Sequence, residues 1–451
     1  MLHNPSPVFD RLMNIIQQIP VVDCHEHLRG PARDLANAPL DPILRLISSY
    51  LLSDLWTTTD DLEISVLQSD QSTLDEKWEI FSRLWTKAEH TAYARVTKIM
   101  LKQMYGIEQL TRENLGNVAE QLKKIGPDDY LKIISGAGIK AVITDVLLSP
   151  PWEDTLRFYR NPVLRDFLEG RFVMPETWHA VFNANYFHEI RRIDFINFAA
   201  GLSKTSISSL ADYEQAVHII IQQSVRQCVI AIKDWSAYHR EINFELPPRY
   251  DAERLFNKVI LDPRNQLSYP DAKPLDDYLF HHIIRCAQEF NLPVQIHTGH
   301  MAGIRQRVDK ANARNFISVL ELYPKVRFDL FHANWPYMED ILFIGKNYPN
   351  VAINLCWAIM IDPLYCIDLL KRCVLTVPYV KIHGFGGDYF LTPEMPVAQL
   401  SLAREVIASA LTDLVEFGWI DEEAATRIAG DWLYNNPNRF YNLGLTEWSA
   451  A

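Results

Sequence analysis

Eight short apolar runs constrain this chain more than any other feature. In order they are "VVDCHEH" (21–27), "KAVITDVLL" (140–148), "GRFVMPETW" (170–178), "CVIAIKDW" (228–235), "LPVQIHTGH" (292–300), "VRFDLFHAN" (326–334), "VAINLCW" (351–357) and "VKIHGFGGD" (380–388). Each is rich in β-branched residues and bounded by turn residues, the pattern of strands buried on both faces. Most are separated by helical stretches, such as "LDDYLFHHIIRCAQEF" (275–290), with apolar Leu279, Ile283, Cys286 and Phe290. Buried strands alternating with helices in this number predict an α/β architecture, a (β/α)₈ or TIM barrel.

The interval between the first two runs is several times what one crossover needs. Within it Thr73 and Glu76 form a capping-box pattern. Trp78, Phe81, Trp85, Ala88, Ala92 and Ile99 then recur near helical spacing. We read 40–128 as a helical insertion over the barrel mouth, and 1–451 as one domain, because no Gly/Ser linker interrupts it. Two further helices are expected after the last run. The first ends at Gly418; the second starts at Asp421 and stops before Pro437.

With 451 residues, a large core is within reach. The formal net charge of −12 argues against nucleic acid and against an anionic membrane surface as partners. No apolar run is long enough to cross a membrane as a helix, and the first residues lack a signal-peptide pattern. Cys24, Cys228, Cys286, Cys356, Cys366 and Cys373 form no CxxC pair. Reduced thiols in a cytoplasmic protein are the expectation. The expected partner is a small molecule, with a homo-oligomer as a further expectation.

Barrel active sites sit at the C-terminal ends of the strands. Those ends carry His25 and His27 (first run), Lys233 (fourth), His297 (fifth), His332 (sixth) and Asp388 (eighth). In a strand, residues two apart share a face, so His25 and His27 converge. His25, His27, His297 and Asp388 are therefore expected to hold a divalent ion and leave room for water. Such an ion lowers the pKa of water and polarises a carbonyl. Asp388 would shuttle the proton, and His332 would be the second acid/base or oxyanion donor. Lys233, His239, Arg240 and His300 are expected to face substrate, with Trp335 and Trp357 as walls. Glu26 and His383 are read as structural, and Cys24 as packing away from the histidines.

These residues resemble the amidohydrolase superfamily of metal-dependent hydrolases. "LPVQIHTGH", "HANWPYMEDILFIGKNYPNVAINLCWAI", "GGDYFLTPE" and the tail from "AREVIASAL" are similar to its amidohydrolase-2 branch. Within it they resemble the domain of nodulin-type and fungal glutamine-synthetase-fused proteins. "SSYLLSDLW" and "YGIEQLT" resemble that group and uronate isomerases. The resemblance implies one Zn²⁺, with Mn²⁺ as an alternative, and a second metal if Lys233 is carbamylated. It implies a hydrolase that activates metal-bound water against a C–N or C–O bond of a small polar, carboxylated metabolite. A uronate-type isomerase, a decarboxylase and a non-catalytic scaffold are the competing readings. One departure stands out. Gly387 occupies a position where many relatives carry Ser or Thr, and glycine there would give Asp388 a looser hold.

Overall fold

The computed structural model describes residues 6–48, 50–145 and 163–450. Eight parallel strands follow one another around a single sheet in chain order. They are β1 (Val21–Glu26), β2 (Ile139–Thr144), β3 (Trp178–Asn183), β4 (Val229–Asp234), β5 (Val294–Ile296), β6 (Phe328–Leu330), β7 (Val351–Asn354) and β8 (Ile382–His383). Backbone bonds from Cys24 N to Phe385 O (3.2 Å), His27 N to Tyr389 O (3.0 Å) and Asp388 N to His25 O (2.9 Å) close the ring. The chain is a (β/α)₈ barrel.

One strand is not where the sequence placed it. β3 begins at Trp178, where the run 170–178 ends. Pro175 lies inside that run and cannot donate to a ladder. "WHAVFN" supplies the β-branched and aromatic residues instead. Of the second run, residues 146–148 lie outside the described residues.

Alternate strand residues separate two cores. Val21, Val142, Ala180, Phe182, Val229 and Ile232 face the surrounding helices in the main core. Val22, Cys24, Ala141, Ile143, Val181 and Ala231 form a second cluster with Tyr434 and Tyr441. That second cluster is the barrel interior, because Tyr441 there bonds across to Gln295 of β5 (2.9 Å) and to Asp329 of β6. Cys24 thus faces the barrel interior. The register slips between Asp23 and Glu26, where three residues of β1 match two of β2, so strict alternation fails.

Residues 40–128 form short helices from Pro42–Ile47 to Arg112–Leu122. The capping box at Thr73 is present. Asp41 caps Pro42–Ile47 through Ile43 N and Leu44 N (2.8 and 3.0 Å), a contact type worth about 1 kcal/mol. Buried Arg45 forms a two-pronged pair with Glu394 (2.6 and 3.1 Å), tying this region to the long helix Glu394–Glu416. The turn before Leu51–Trp56 carries Tyr50 to the barrel mouth. Asp421 caps Glu422–Gly430 as expected. That helix does not stop before Pro437. A π-helical turn, Asp431–Asn435, leads into Asn436–Tyr441, where Pro437 occupies the first turn and needs no N–H partner.

Candidate metal centre and active site

His25 ends β1 fully buried, and neither ring nitrogen has a hydrogen-bond partner in the protein. His27 follows it, ring stacked on Phe390 at 4.3 Å. The Asp388 carboxylate meets both: Oδ1 lies 2.9 Å from His27 Nε2 and 3.7 Å from His25 Nε2. Its Oδ2 lies 4.0 Å from His332 Nε2. His25, His27 and Asp388 each offer a ligand atom within 4.8 Å of the others. His332, Cys356 and Asp388 form an overlapping trio, but burial pushes the Cys356 thiol well up and keeps it protonated.

His297, expected as the fourth ligand, does not join the trio. Its Nε2 donates to the His300 carbonyl (2.7 Å), and its Nδ1 faces His332 Nε2 at 3.1 Å. His332 Nδ1 in turn donates to the Cys356 carbonyl (2.9 Å). Carbonyls only accept, so the two nitrogens facing each other both present lone pairs. Burial holds His25, His297 and His332 well below the usual histidine range, and the Lys233 charge acts in the same direction. Neutral imidazoles, orphaned nitrogens and a carboxylate converging on one point fit a divalent cation. The donor set is thus three residues, His25, His27 and Asp388, with His297 and His332 beside it.

The loops are held by local chemistry. His332, Ala333 and Asn334 take left-handed φ values of 61°, 50° and 53°, an expensive arrangement typical of functional sites. Thr298 Oγ1 donates to Phe331 O (2.6 Å), and Gly299 lets the β6 loop approach, since a Cβ there would collide with Trp335 and Asn334 backbone. Asp388 is also left-handed (φ 62°). Its hold is not loose. Gly387 N donates to Asp23 Oδ1 (3.1 Å), Tyr389 N to Glu26 Oε2 (2.7 Å), and Tyr50 Oη to the Asp388 carbonyl.

His27, Lys233, His297 and Asp388 line the mouth together with Tyr50, Trp235, Tyr238 and Phe390. Lys233 is buried, with its ammonium 3.9 Å above the Phe331 ring. It does not pair with Asp234, which holds His188 Nε2 at 2.7 Å. His300, Trp335 and Trp357 cluster, with ring centroids 5.4 Å and 5.0 Å from His300, and Trp357 also meets His332 at 5.1 Å. Burial lowers His300 to about 4. Arg240 is not a substrate residue. It is fully buried, paired with Asp277 and Asp276 and stacked over Phe244 at 4.6 Å. His239 is spent on Glu189 (2.9 Å), which raises its pKa. His383 bonds Asp329 inside the barrel (3.0 Å).

Sequence reasoning passed over Tyr50, Tyr238 and the pair Asn183–Asp145 (2.8 Å) at the ends of β3 and β2. Asp145 and Tyr238 stood beside strand ends and were legible in principle. Tyr50 sits in the insertion, where nothing local marks it. Asn183 was hidden by the misplaced strand.

Residues 252–443 match the family model described as amidohydrolase. Protein fluG of Emericella nidulans is 26% identical over 235 residues, which is 49% of this chain and 27% of that protein. A uronate isomerase of Xanthomonas oryzae pv. oryzae is 25% identical over 209 residues, 43% of this chain and 44% of that one. The matches thus span less than half the length of these relatives. The uronate isomerase structure from Thermotoga maritima superposes with a TM-score of 0.75 at 15% identity, covering 97% of this chain and 98% of its own. A putative metal-dependent hydrolase structure from Lactobacillus casei gives 0.63 at 17%, covering 96% and 98%. At such identities the solved structures speak for the barrel, while the family model and the two curated relatives speak for descent. The amidohydrolase superfamily is what the match over residues 252–443 and these relatives support.

Proposed function

We propose that this chain is a metal-dependent hydrolase of a small carboxylated metabolite. The observation that carries the reading is the Asp388 carboxylate, with one oxygen toward His27 and His25 and the other toward His332. His25, His27 and Asp388 would hold the cation, which would polarise a substrate oxygen and make water more acidic. Asp388 takes the proton of the attacking water as the C–N or C–O bond is attacked. It then returns that proton to the leaving nitrogen or oxygen. The lone pair of His332 Nε2, fixed by the Nδ1 bond to Cys356, accepts a hydrogen bond from the water or the substrate and orients it. Lys233, a buried cation at the mouth, meets the substrate carboxylate.

A second reading is a proton-moving isomerase of sugar acids. Its support is the full-length likeness to uronate isomerase structures, insertion included. A metal-replete screen over N-acyl amino acids, lactones, aromatic acids and sugar acids, run in ¹⁸O-water, tests both. Hydrolysis puts one ¹⁸O into product. Product of unchanged mass from a sugar acid would replace the first reading by the second. Inactivity across the panel together with no bound divalent ion would overturn both.

A further inference from the structure

The loop bearing Asp388 is fastened from below by two carboxyls of β1 that the proposed reaction does not use. Asp23 and Glu26 are both buried, and each accepts a backbone N–H of that loop. Asp23 Oδ1 accepts Gly387 N (3.1 Å) and also His25 N (3.3 Å). Glu26 Oε2 accepts Tyr389 N (2.7 Å). Two successive bonds thus bracket Asp388, which sits at a φ of 62° that few side chains adopt. The other Glu26 oxygen, Oε1, occupies the space beside Gly387: any Cβ there would collide with it. φ at Gly387 is not positive, so the glycine is required by this close approach and not by backbone conformation.

We propose that Glu26 is a positioning residue for Asp388, its carboxyl seated in the room left by the missing side chain of Gly387. Glu26 and Gly387 form one device: the acid replaces, from β1, the support that a side chain at 387 would give from within the loop. The inference rests on reading His25, His27 and Asp388 as the metal set. Outer partners that orient a ligating carboxylate typically govern metal affinity by about tenfold to hundredfold.

The test compares full-length wild type with E26Q, E26A, G387A and the double variant E26A/G387A. Readouts are Zn²⁺ affinity by chelator competition, hydrogen exchange of peptides covering 385–391 and the thermal midpoint. E26A should weaken Zn²⁺ binding by about tenfold to hundredfold and expose the Tyr389 amide to exchange. E26Q, whose amide oxygen still accepts that N–H, should stay within about twofold of wild type. G387A should weaken binding like E26A, yet cost less than about twofold more when added to E26A, because the colliding atom is gone. Native affinity and exchange in E26A, or an equal G387A penalty in both backgrounds, would overturn the proposal. So would a lowered midpoint with unchanged affinity, the mark of a merely structural role. Should E26A not fold, native affinity and exchange in G387A overturns it. Should wild type take up no Zn²⁺, the metal reading fails, and exchange at 385–391 still judges the clamp.

Discussion

Lys233 and Arg240 lie on one strand and the loop that leaves it, and both are buried cations. Arg240 is surrounded by what a guanidinium needs: Asp276, Asp277, the carbonyls of Glu241 and Asn243, and the face of Phe244. Lys233 has an aromatic face and, among the described residues, no ion pair. The same division separates the histidines. His188 and His239 each hold a carboxylate through one nitrogen, Asp234 and Glu189, while neither nitrogen of His25 has a hydrogen-bond partner among the described residues. A burying fold tolerates unmet polar groups only where something else meets them. At the barrel mouth the unmet Nε2 of His25 and the Nε2 of His27 converge on one carboxylate, that of Asp388, and that convergence marks the site.

Substitutions can break this comparison from either side. The largest effect is expected at D388N, which should lower kcat/KM by about 10³-fold, within the range for a positioned acid–base group. Its circular dichroism spectrum should remain native. A native rate would end the proposed mechanism. R240M should act in the opposite way. Arg191 still pairs Asp276 and Lys273 still pairs Asp277, so losing Arg240's own bonds should cost about 2–3 kcal/mol in denaturant unfolding, with KM unchanged; a raised KM would put Arg240 back in the substrate pocket. Asp34 is an intermediate case. It accepts Tyr130 Oη (2.8 Å) and Arg29 N (3.0 Å), yet burial raises its carboxyl to about 6. The folded state keeps a proton on Asp34 that the unfolded chain releases near pH 4, so Asp34's contribution to stability falls from about pH 4 to about pH 6 and is level above. D34N cannot ionise, and its stability relative to wild type should rise by about 2–3 kcal/mol across that window. Unfolding curves across the window check this; a gap independent of pH refutes it. K233M should raise KM about tenfold for a carboxylated substrate, roughly 1.5 kcal/mol, without lowering the thermal midpoint. An unchanged KM would make Lys233 structural too.

The barrel was readable because buried parallel strands are continuous apolar runs, and seven of eight lay where those runs lay. β3 failed because a proline-containing run looked as apolar as the strand beside it. The trio His25, His27 and Asp388 was legible from strand ends alone. His297 stood at such an end as well, but strand position does not say which way a ring turns, and here a carbonyl and His332 claim its nitrogens. Arg240 misled for a related reason. A cation near a strand end looks alike in sequence whether or not two aspartates 36 and 37 residues later reach it. The insertion was visible as helix, but Tyr50 was not, because its contact with Asp388 spans 338 positions.

The floor of the barrel bears on synthesis. Asp329 on β6 is met inside the barrel by Asn354, His383 and Tyr441, and Tyr441 also takes Gln295, which bonds the Cys24 carbonyl. Residues of β1 therefore wait for a side chain more than 400 positions later before the interior is satisfied. At about 5–20 residues per second, translation separates the two by tens of seconds. The barrel interior cannot be completed from its first strands upward before Tyr441 has emerged. A nascent chain stalled before Tyr441 should remain a target for chaperones, and emergence of the helix Asn436–Tyr441 should be the step that ends that exposure.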